Sequence, residues 1–316
     1  CPACGQAVYL ENVICERCGH ATGYDPQTDA MVALEQAGDV WQPVGTYTDA
    51  AGQAAIPALR YCDNYRFGVC NWLVPADRAM QGGEHAYCLA CRHNVTVPDP
   101  EKGDNARLWQ AMEIAKRRLF YTLLHLRLPL VTRDEDPEGL GFDFLADPDH
   151  PRKKKVMTGH DEGLITIALA EADEAERTRR REQLGEPYRT LLWYWDRLVR
   201  DGPPGTLDAC RAIFGDDEAD YAEALKTHYA NGPQPGWQED FVSFYAGSHA
   251  WEDFAETWAH YLHIVDTLET GHAWGVTIAP RIDEPEQLTT AIDFNPYAAD
   301  VDIQTIADAW LVLSAA

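Results

Sequence analysis

The chain has 316 residues, 46% hydrophobic and 24% charged, a globular composition long enough for two domains of roughly 150 residues each. Fifty-one acidic against 26 basic residues leave a net charge of −25, so its own field does not hold it on nucleic acid or anionic lipid, both of which need clustered Lys and Arg. Its longest apolar runs, such as 164–170, fall well short of the roughly 18 residues of a membrane helix. No signal peptide is visible, and a cytoplasmic location is expected.

Nine Cys are present and eight fall before residue 92, as Cys1-x2-Cys4, Cys15-x2-Cys18, Cys62-x7-Cys70 and Cys88-x2-Cys91. Thiolates two residues apart converge on one tetrahedral Zn2+ at about 2.3 Å. A disulfide scaffold is the alternative, but these pairs close very small loops in a chain without secretory features. The spacing predicts two zinc sites. The first is Cys1, Cys4, Cys15 and Cys18, with Gly5 and Gly19 free to turn backbone N–H groups toward the sulfurs. The second is Cys62, Cys70, Cys88 and Cys91, where His85 or His93 in place of one of the first two Cys is the competing assignment. Four protein ligands leave no open position, so both sites are expected to be structural. Residues 1–100 read as short strands and turns around these Cys. With five Arg, no Lys and eleven acids, they lack the balance of a ribbon that grips nucleic acid.

The segment 96–105 is a linker by composition. A helix follows, with Leu108, Met112, Ala115, Leu119, Leu123 and Leu126 stepping by three or four, and Lys116, Arg117 and Arg118 on the other side, until Pro129. Strands at 155–160 and 164–170 flank the turn Asp161-Glu162-Gly163. From 171 onward the pattern is helical, with helices expected at 173–184, 188–199, 207–214, 221–229, 251–269 and 304–316. Cys210 sits alone on one of them and reads as a core residue. On the helix from Trp251, the residues Glu252, Glu256, His260 and His263 fall within about 80° of one another. That stripe suits a metal or a solvated polar face, and spacing alone favours the latter. No two His have the His-x-x-x-His spacing of a zincin.

Six segments, taken with the Cys pattern, carry a resemblance: 68–74 (Gly-Val-Cys-Asn-Trp-Leu-Val), 142–147 (Phe-Asp-Phe-Leu-Ala-Asp), 158–167 (Thr-Gly-His-Asp-Glu-Gly-Leu-Ile-Thr-Ile), 185–192 (Gly-Glu-Pro-Tyr-Arg-Thr-Leu-Leu), 194–199 (Tyr-Trp-Asp-Arg-Leu-Val) and 251–261 (Trp-Glu-Asp-Phe-Ala-Glu-Thr-Trp-Ala-His-Tyr). The chain resembles a bacterial, gluzincin-like family of zinc metallopeptidases with an N-terminal zinc ribbon. The resemblance implies a catalytic helix bearing His-Glu-x-x-His between the Arg-Thr-Leu-Leu and Tyr-Trp-Asp segments, supplying two zinc ligands and a general base. Here Leu192 is followed by the single Trp193 and then Tyr194, and the motif is missing. The resemblance further implies Glu252 as a vestigial third zinc ligand, Glu256 as its support one turn later, and the hairpin containing 164–170 as the edge along which an extended peptide lies.

The expected fold is α+β: a Cys-rich zinc-ribbon β module over 1–100, then, over 101–316, a mainly helical zincin-like domain with a small antiparallel sheet packed on the helices at 188–199 and 251–269. The bare Cys1 start, and a last helix reaching Ala316 without a cap, read as a fragment truncated at its C-terminus. The expected function is that of a zinc-binding, metallopeptidase-like pseudoenzyme with two structural Zn2+, no catalytic zinc, and peptide or protein partners rather than nucleic acid or membrane. Two alternatives stand beside it: a zinc-ribbon module that binds proteins, and an active metallopeptidase whose motif is lost only from this sequence. No substrate and no oligomeric state follow from the sequence.

Overall fold

Residues 1–45, 58–77, 86–148, 154–173, 194–232, 235–281 and 288–315 are described by the computed structural model. They fall into two units, Cys1–Leu123 with Leu130–Gly185, and Leu124–Pro129 with Glu186–Ala316. The expected helix at 173–184, past its first residue, and positions 188–193 of the next lie outside the described residues.

The first unit opens with an antiparallel sheet of β1 (Ala21–Asp25), β2 (Ala30–Ala37), β3 (Val40–Val44), β4 (Leu59–Tyr61) and β5 (Leu73–Pro75), in that order. The β1–β2 connection is tied by the Asp25 carboxylate, which accepts from the Gln27 backbone at 3.0 Å and the Thr28 hydroxyl at 2.9 Å, the usual way an Asp nucleates a turn. Val32, Leu34, Leu59, Tyr61 and Leu73 form its buried core, and the Tyr61 hydroxyl is satisfied by Thr22 O at 2.9 Å.

A second sheet has the order β6 (Asn94–Thr96), β7 (Gly141–Leu145), β9 (Leu164–Ala168), β8 (Gly159–Asp161). The expected antiparallel hairpin is β8–β9. Its turn residues Glu162 and Gly163 both take positive φ, 42° and 83°, as a two-residue primed turn requires. The sheet continues through parallel pairs, β9 with β7 and β7 with β6. Strand 164–168 is therefore internal, and only β8 lies at that edge.

The helix after the linker, α1 (Asn105–His125), buries a different face from the expected one. Its buried residues are Trp109, Glu113, Lys116, Arg117, Phe120, Thr122 and Leu123, while Ala115 is exposed. Two of the cations assigned to solvent thus point inward. Phe120 packs on His93 and on Phe142 of β7, and the Lys116 ammonium lies over the Phe142 and Phe144 rings at 5.5 and 5.4 Å. The second sheet rests on this helix.

The second unit holds α2 (Thr206–Phe214), α3 (Tyr221–Asn231), α4 (Ala250–Ala273), the pair β10 (Thr277–Ile278) and β11 (Thr290–Ala291), and α5 (Ile303–Ala315). Trp195–Arg200 forms a π-helical turn, closed by Asp201 N–H donating to Asp196 O at 2.8 Å, where a regular α-helix was expected. Trp195 meets Phe254 edge to face at 5.1 Å, and Val265, Leu268, Ile292, Ile306 and Ala309 form a second core. Among the described residues no helix is long and apolar enough to cross a membrane.

Two outcomes follow for stability. Phe120 is fully enclosed, so Phe120→Ala should cost about 3–5 kcal/mol in urea unfolding. Asp253 is 7% exposed and burial pushes its carboxyl up to about 6. The folded chain then holds this proton more tightly than the unfolded one, so the group's contribution to stability is lost as pH rises from about 4 through 6. Asp253→Asn should be about 1–2 kcal/mol more stable than the parent at pH 7.5 and equal to it near pH 4, as read from melting curves at both pH values.

Candidate metal centres

The first four Cys precede β1. Gly5 and Gly19 adopt φ of 74° and 76°, and their N–H groups donate to Cys1 O and Cys15 O at 2.8 Å each, which folds each pair into a tight knuckle. The Cys1 and Cys18 sulfurs lie 3.7 Å apart, those of Cys4 and Cys15 3.6 Å, and all four within 4.8 Å of one another. The Cys15 thiol is lowered to about 7, chiefly by the backbone N–H of Cys18. His20 lies with Nδ1 3.2 Å from Cys18 Sγ and Nε2 3.2 Å from Glu35.

The second group is assembled by the sheet. Cys62 follows β4 and Cys70 precedes β5. Between them a 3-10 turn, Asp63–Phe67, ends on Gly68 at φ 70° and brings the chain back. Cys88 and Cys91 lead into β6. All four Cys are buried, and Cys70 and Cys88 sulfurs are 3.7 Å apart. Backbone N–H groups face the sulfurs: Trp72 to Cys70 at 3.5 Å, Cys88 to Cys62 at 3.4 Å and Cys91 to Cys88 at 3.4 Å. Hydrogen bonds from Cys62, Cys70 and Cys88 hold Cys91 well below the ordinary thiol value, while burial raises Cys70 and Cys88.

These sulfurs fit zinc. A tetrahedron with bonds of about 2.3 Å has edges of about 3.8 Å, close to the 3.6–3.7 Å found here and far beyond the roughly 2.05 Å of a disulfide. Both groups could hold a structural ion. His93 stands outside the second. Its Nδ1–H donates to Leu140 O at 2.8 Å, and burial lowers it to about 4, so it is neutral and already engaged. His85 lies outside the described residues.

Beside the second group sits a polar network that the Cys spacing did not signal. Glu113 Oε2 is 4.0 Å from Cys91 Sγ and 3.0 Å from the Lys116 ammonium, and Oε1 accepts from Trp109 Nε1 at 3.0 Å and Asn94 Nδ2 at 2.7 Å. Trp109, Glu113, Lys116 and Phe120 step by four, three and four, a helical stripe as regular as the apolar one. It was hidden because charged residues are seldom read as inward.

Glu252 and Glu256 are both buried on α4. Oε1 of Glu252 accepts from the hydroxyls of Tyr221 and, at 3.1 Å, Tyr245. Burial raises the Glu256 carboxyl, against a hydrogen bond from Ser243. His260 is exposed and its Nδ1 is bonded to Glu256 O at 2.7 Å. His249 caps α4, accepting from Trp251 N–H through Nδ1 at 3.1 Å while Nε2–H donates to Ala219 O at 3.1 Å. Among the described residues, no third set of three metal-ligating side chains converges, so Glu252, Glu256 and His260 do not form one.

Residues 105–316 match the family described as putative zinc-binding metallo-peptidase, and residues 1–102 match a zinc-ribbon domain. Uncharacterized proteins of Mycobacterium bovis and of two Mycobacterium tuberculosis strains are each 38% identical over 326 aligned positions, covering 99% of this chain and 84% of theirs. No solved structure matches. Because 326 positions exceed the 316 residues present, at least ten positions filled in these relatives are gaps here. With one match running from Asn105 to the last residue and a ribbon match before it, the chain belongs to the putative zinc-binding metallo-peptidase family and carries an N-terminal zinc ribbon.

Proposed function

We propose that this chain is a zinc-stabilised scaffold of the metallopeptidase family that does not carry out peptidase chemistry, a pseudoenzyme whose ribbon and helical parts serve peptide or protein binding in the cytoplasm. One observation carries this reading: none of the eleven His is followed by Glu, so His-Glu-x-x-His occurs nowhere, and Leu192 is separated from Tyr194 by Trp193 alone.

A peptidase zinc needs about three protein ligands, an open position for water, and a base beside it. Glu252 supplies one ligand. His260 lies eight residues further along α4, about 12 Å away at 1.5 Å per residue. Loss of the motif's Glu alone removes acid–base help worth about 10²–10⁴ in rate. Two findings support the reading. The chain directly after Trp193 and Tyr194 takes a π-helical register, which is rare and marks an irregular helix. The Glu252 carboxylate is occupied by two tyrosine hydroxyls.

Zinc enters as two structural ions, one on Cys1, Cys4, Cys15 and Cys18, the other on Cys62, Cys70, Cys88 and Cys91. Metal analysis should return two zinc per chain, falling to one in Cys70→Ser together with Cys88→Ser; three per chain would reveal a further site and defeat the count. For catalysis, the purified chain should not cleave a broad peptide library with zinc added. A variant with a His-Glu-x-x-His helix inserted between Leu192 and Tyr194 is the matched comparison. Chelator-sensitive cleavage by the parent chain, abolished by Glu252→Ala, would overturn the proposal.

A further inference from the structure

The two four-Cys groups share a sulfur spacing but differ in access. In the second, Cys62 is 1% exposed, Cys70 3%, Cys88 1% and Cys91 2%. Cys70 borders a cavity, yet its sulfur contact with Cys88 is buried. In the first, only Cys15 is buried, while Cys1, Cys4 and Cys18 are half-buried. Its sulfurs meet across the two knuckles, Cys4 to Cys15 at 3.6 Å and Cys1 to Cys18 at 3.7 Å, and both contacts are part-buried. Each of these pairs therefore includes a residue open to solvent.

The backbone holds the pairs together without help from the sulfurs. Each knuckle is closed by its own bond, Gly5 N–H to Cys1 O and Gly19 N–H to Cys15 O. The loop between the knuckles is fixed at its middle. Asn71 Nδ2 donates to Leu10 O at 2.7 Å and Asn12 O at 3.0 Å, and the Thr22 hydroxyl donates to Asn12 O at 3.0 Å. Thr22 N–H donates to Val13 O and Cys15 N–H to His20 O, both at 2.9 Å. A sulfur held beside its partner in this way reacts with it in preference to a second chain, because the effective concentration is high.

We infer that the first group is an oxidation site, where peroxide converts the four thiolates into the disulfides Cys4–Cys15 and Cys1–Cys18 while the second group stays reduced. Each pair consumes one hydrogen peroxide. Cys4 Sγ attacks one peroxide oxygen, the O–O bond breaks, hydroxide leaves, and Cys4 becomes a sulfenic acid. Cys15 Sγ then attacks Cys4 Sγ, forming the S–S bond and breaking the S–O bond, and a second hydroxide leaves. Two electrons pass from the two sulfurs to the peroxide, and both hydroxides take protons from solvent. Cys18 and Cys1 react in the same way. Sulfurs joined in a disulfide no longer offer the thiolate charge that holds zinc, so the first group gives up its ion. In the second group the same attack requires the chain to open first. The ion's release rests on the reading of both groups as zinc sites, whereas the disulfides are measured independently of it.

The test treats the full, zinc-loaded chain with a molar excess of hydrogen peroxide. Released zinc is followed with a chromogenic chelator, remaining thiols are alkylated, and disulfides are mapped by mass spectrometry. One zinc per chain should be released, at least about tenfold faster than the other. Cys4–Cys15 and Cys1–Cys18 should be linked, with Cys62, Cys70, Cys88 and Cys91 recovered as alkylated thiols, and dithiothreitol with zinc should restore the starting state. Comparable oxidation of both groups, earlier oxidation of the second, or a first group that stays reduced would overturn the inference. So would links within one knuckle, links between chains, or sulfinic and sulfonic acids in place of disulfides. A starting content other than two zinc defeats the zinc count, and the disulfide map then decides the oxidation site alone.

Discussion

Four sulfurs held within 4.8 Å of one another inside the protein are the constraint on which the first unit depends. As thiolates they repel, and only a cation at their centre makes the arrangement favourable. Cys62 then has to end β4, Cys70 has to begin the approach to β5, and Cys88 and Cys91 have to deliver the chain to β6. A Zn2+ with four thiolates still carries two negative charges, so the surrounding protein must answer them. Backbone N–H groups face the sulfurs, and the Lys116 ammonium, shared with Glu113, lies on the same side. Burial pulls Lys116 down, but Glu113 and Cys91 outweigh burial and keep it charged. An isolated buried ion pair is weak evidence for stability. Next to an anionic metal group it has an electrostatic purpose, and it ties α1 to the ribbon.

The sequence was most legible where chemistry repeats at short range. Cys-x-x-Cys pairs and the glycines after them can be read without a fold, because ligand spacing and positive φ are local properties. The helices α2 to α5 were visible through their apolar periodicity, and the β8–β9 hairpin through its turn residues. What could not be read was set by partners distant in the chain. Lys116 and Arg117 look like a solvent face until one knows that Cys91 and Val69 O lie beneath them. Strand 164–168 looks like an edge until β7, some twenty residues earlier, pairs with it in parallel. Trp195–Arg200 keeps its apolar spacing but changes its hydrogen-bond register, which periodicity does not reveal.

The two metal-competent groups also differ in how they are supported. The second is buried and roofed by α1, whereas the first is half-exposed and leans on His20, Glu35 and backbone amides. Direct solvent access stabilises the charge of the first group at little cost. The second must find every counter-charge within the fold. Its neighbours accordingly include a buried Lys, a buried Glu and an indole N–H, and its loop spacing is irregular because Cys62 and Cys70 are placed by two separate strand ends, and only Cys88 and Cys91 share one knuckle.

In the second unit, Glu252 plays the part of a local anchor. A buried carboxylate cannot be left bare: it needs a cation or several donors. In this chain the donors are the hydroxyls of Tyr221, at the start of α3, and Tyr245, just before α4. Burial and the adjoining carboxylate push the Tyr245 phenol far above its ordinary value, so it remains an O–H and keeps donating. Glu252 also lies in the first turn of α4, where the exposed N–H groups favour negative charge. These contacts join three segments of the second unit through one side chain. A carboxylate held in this way is satisfied by donors of the second unit itself, and its place in the fold does not depend on an ion being near.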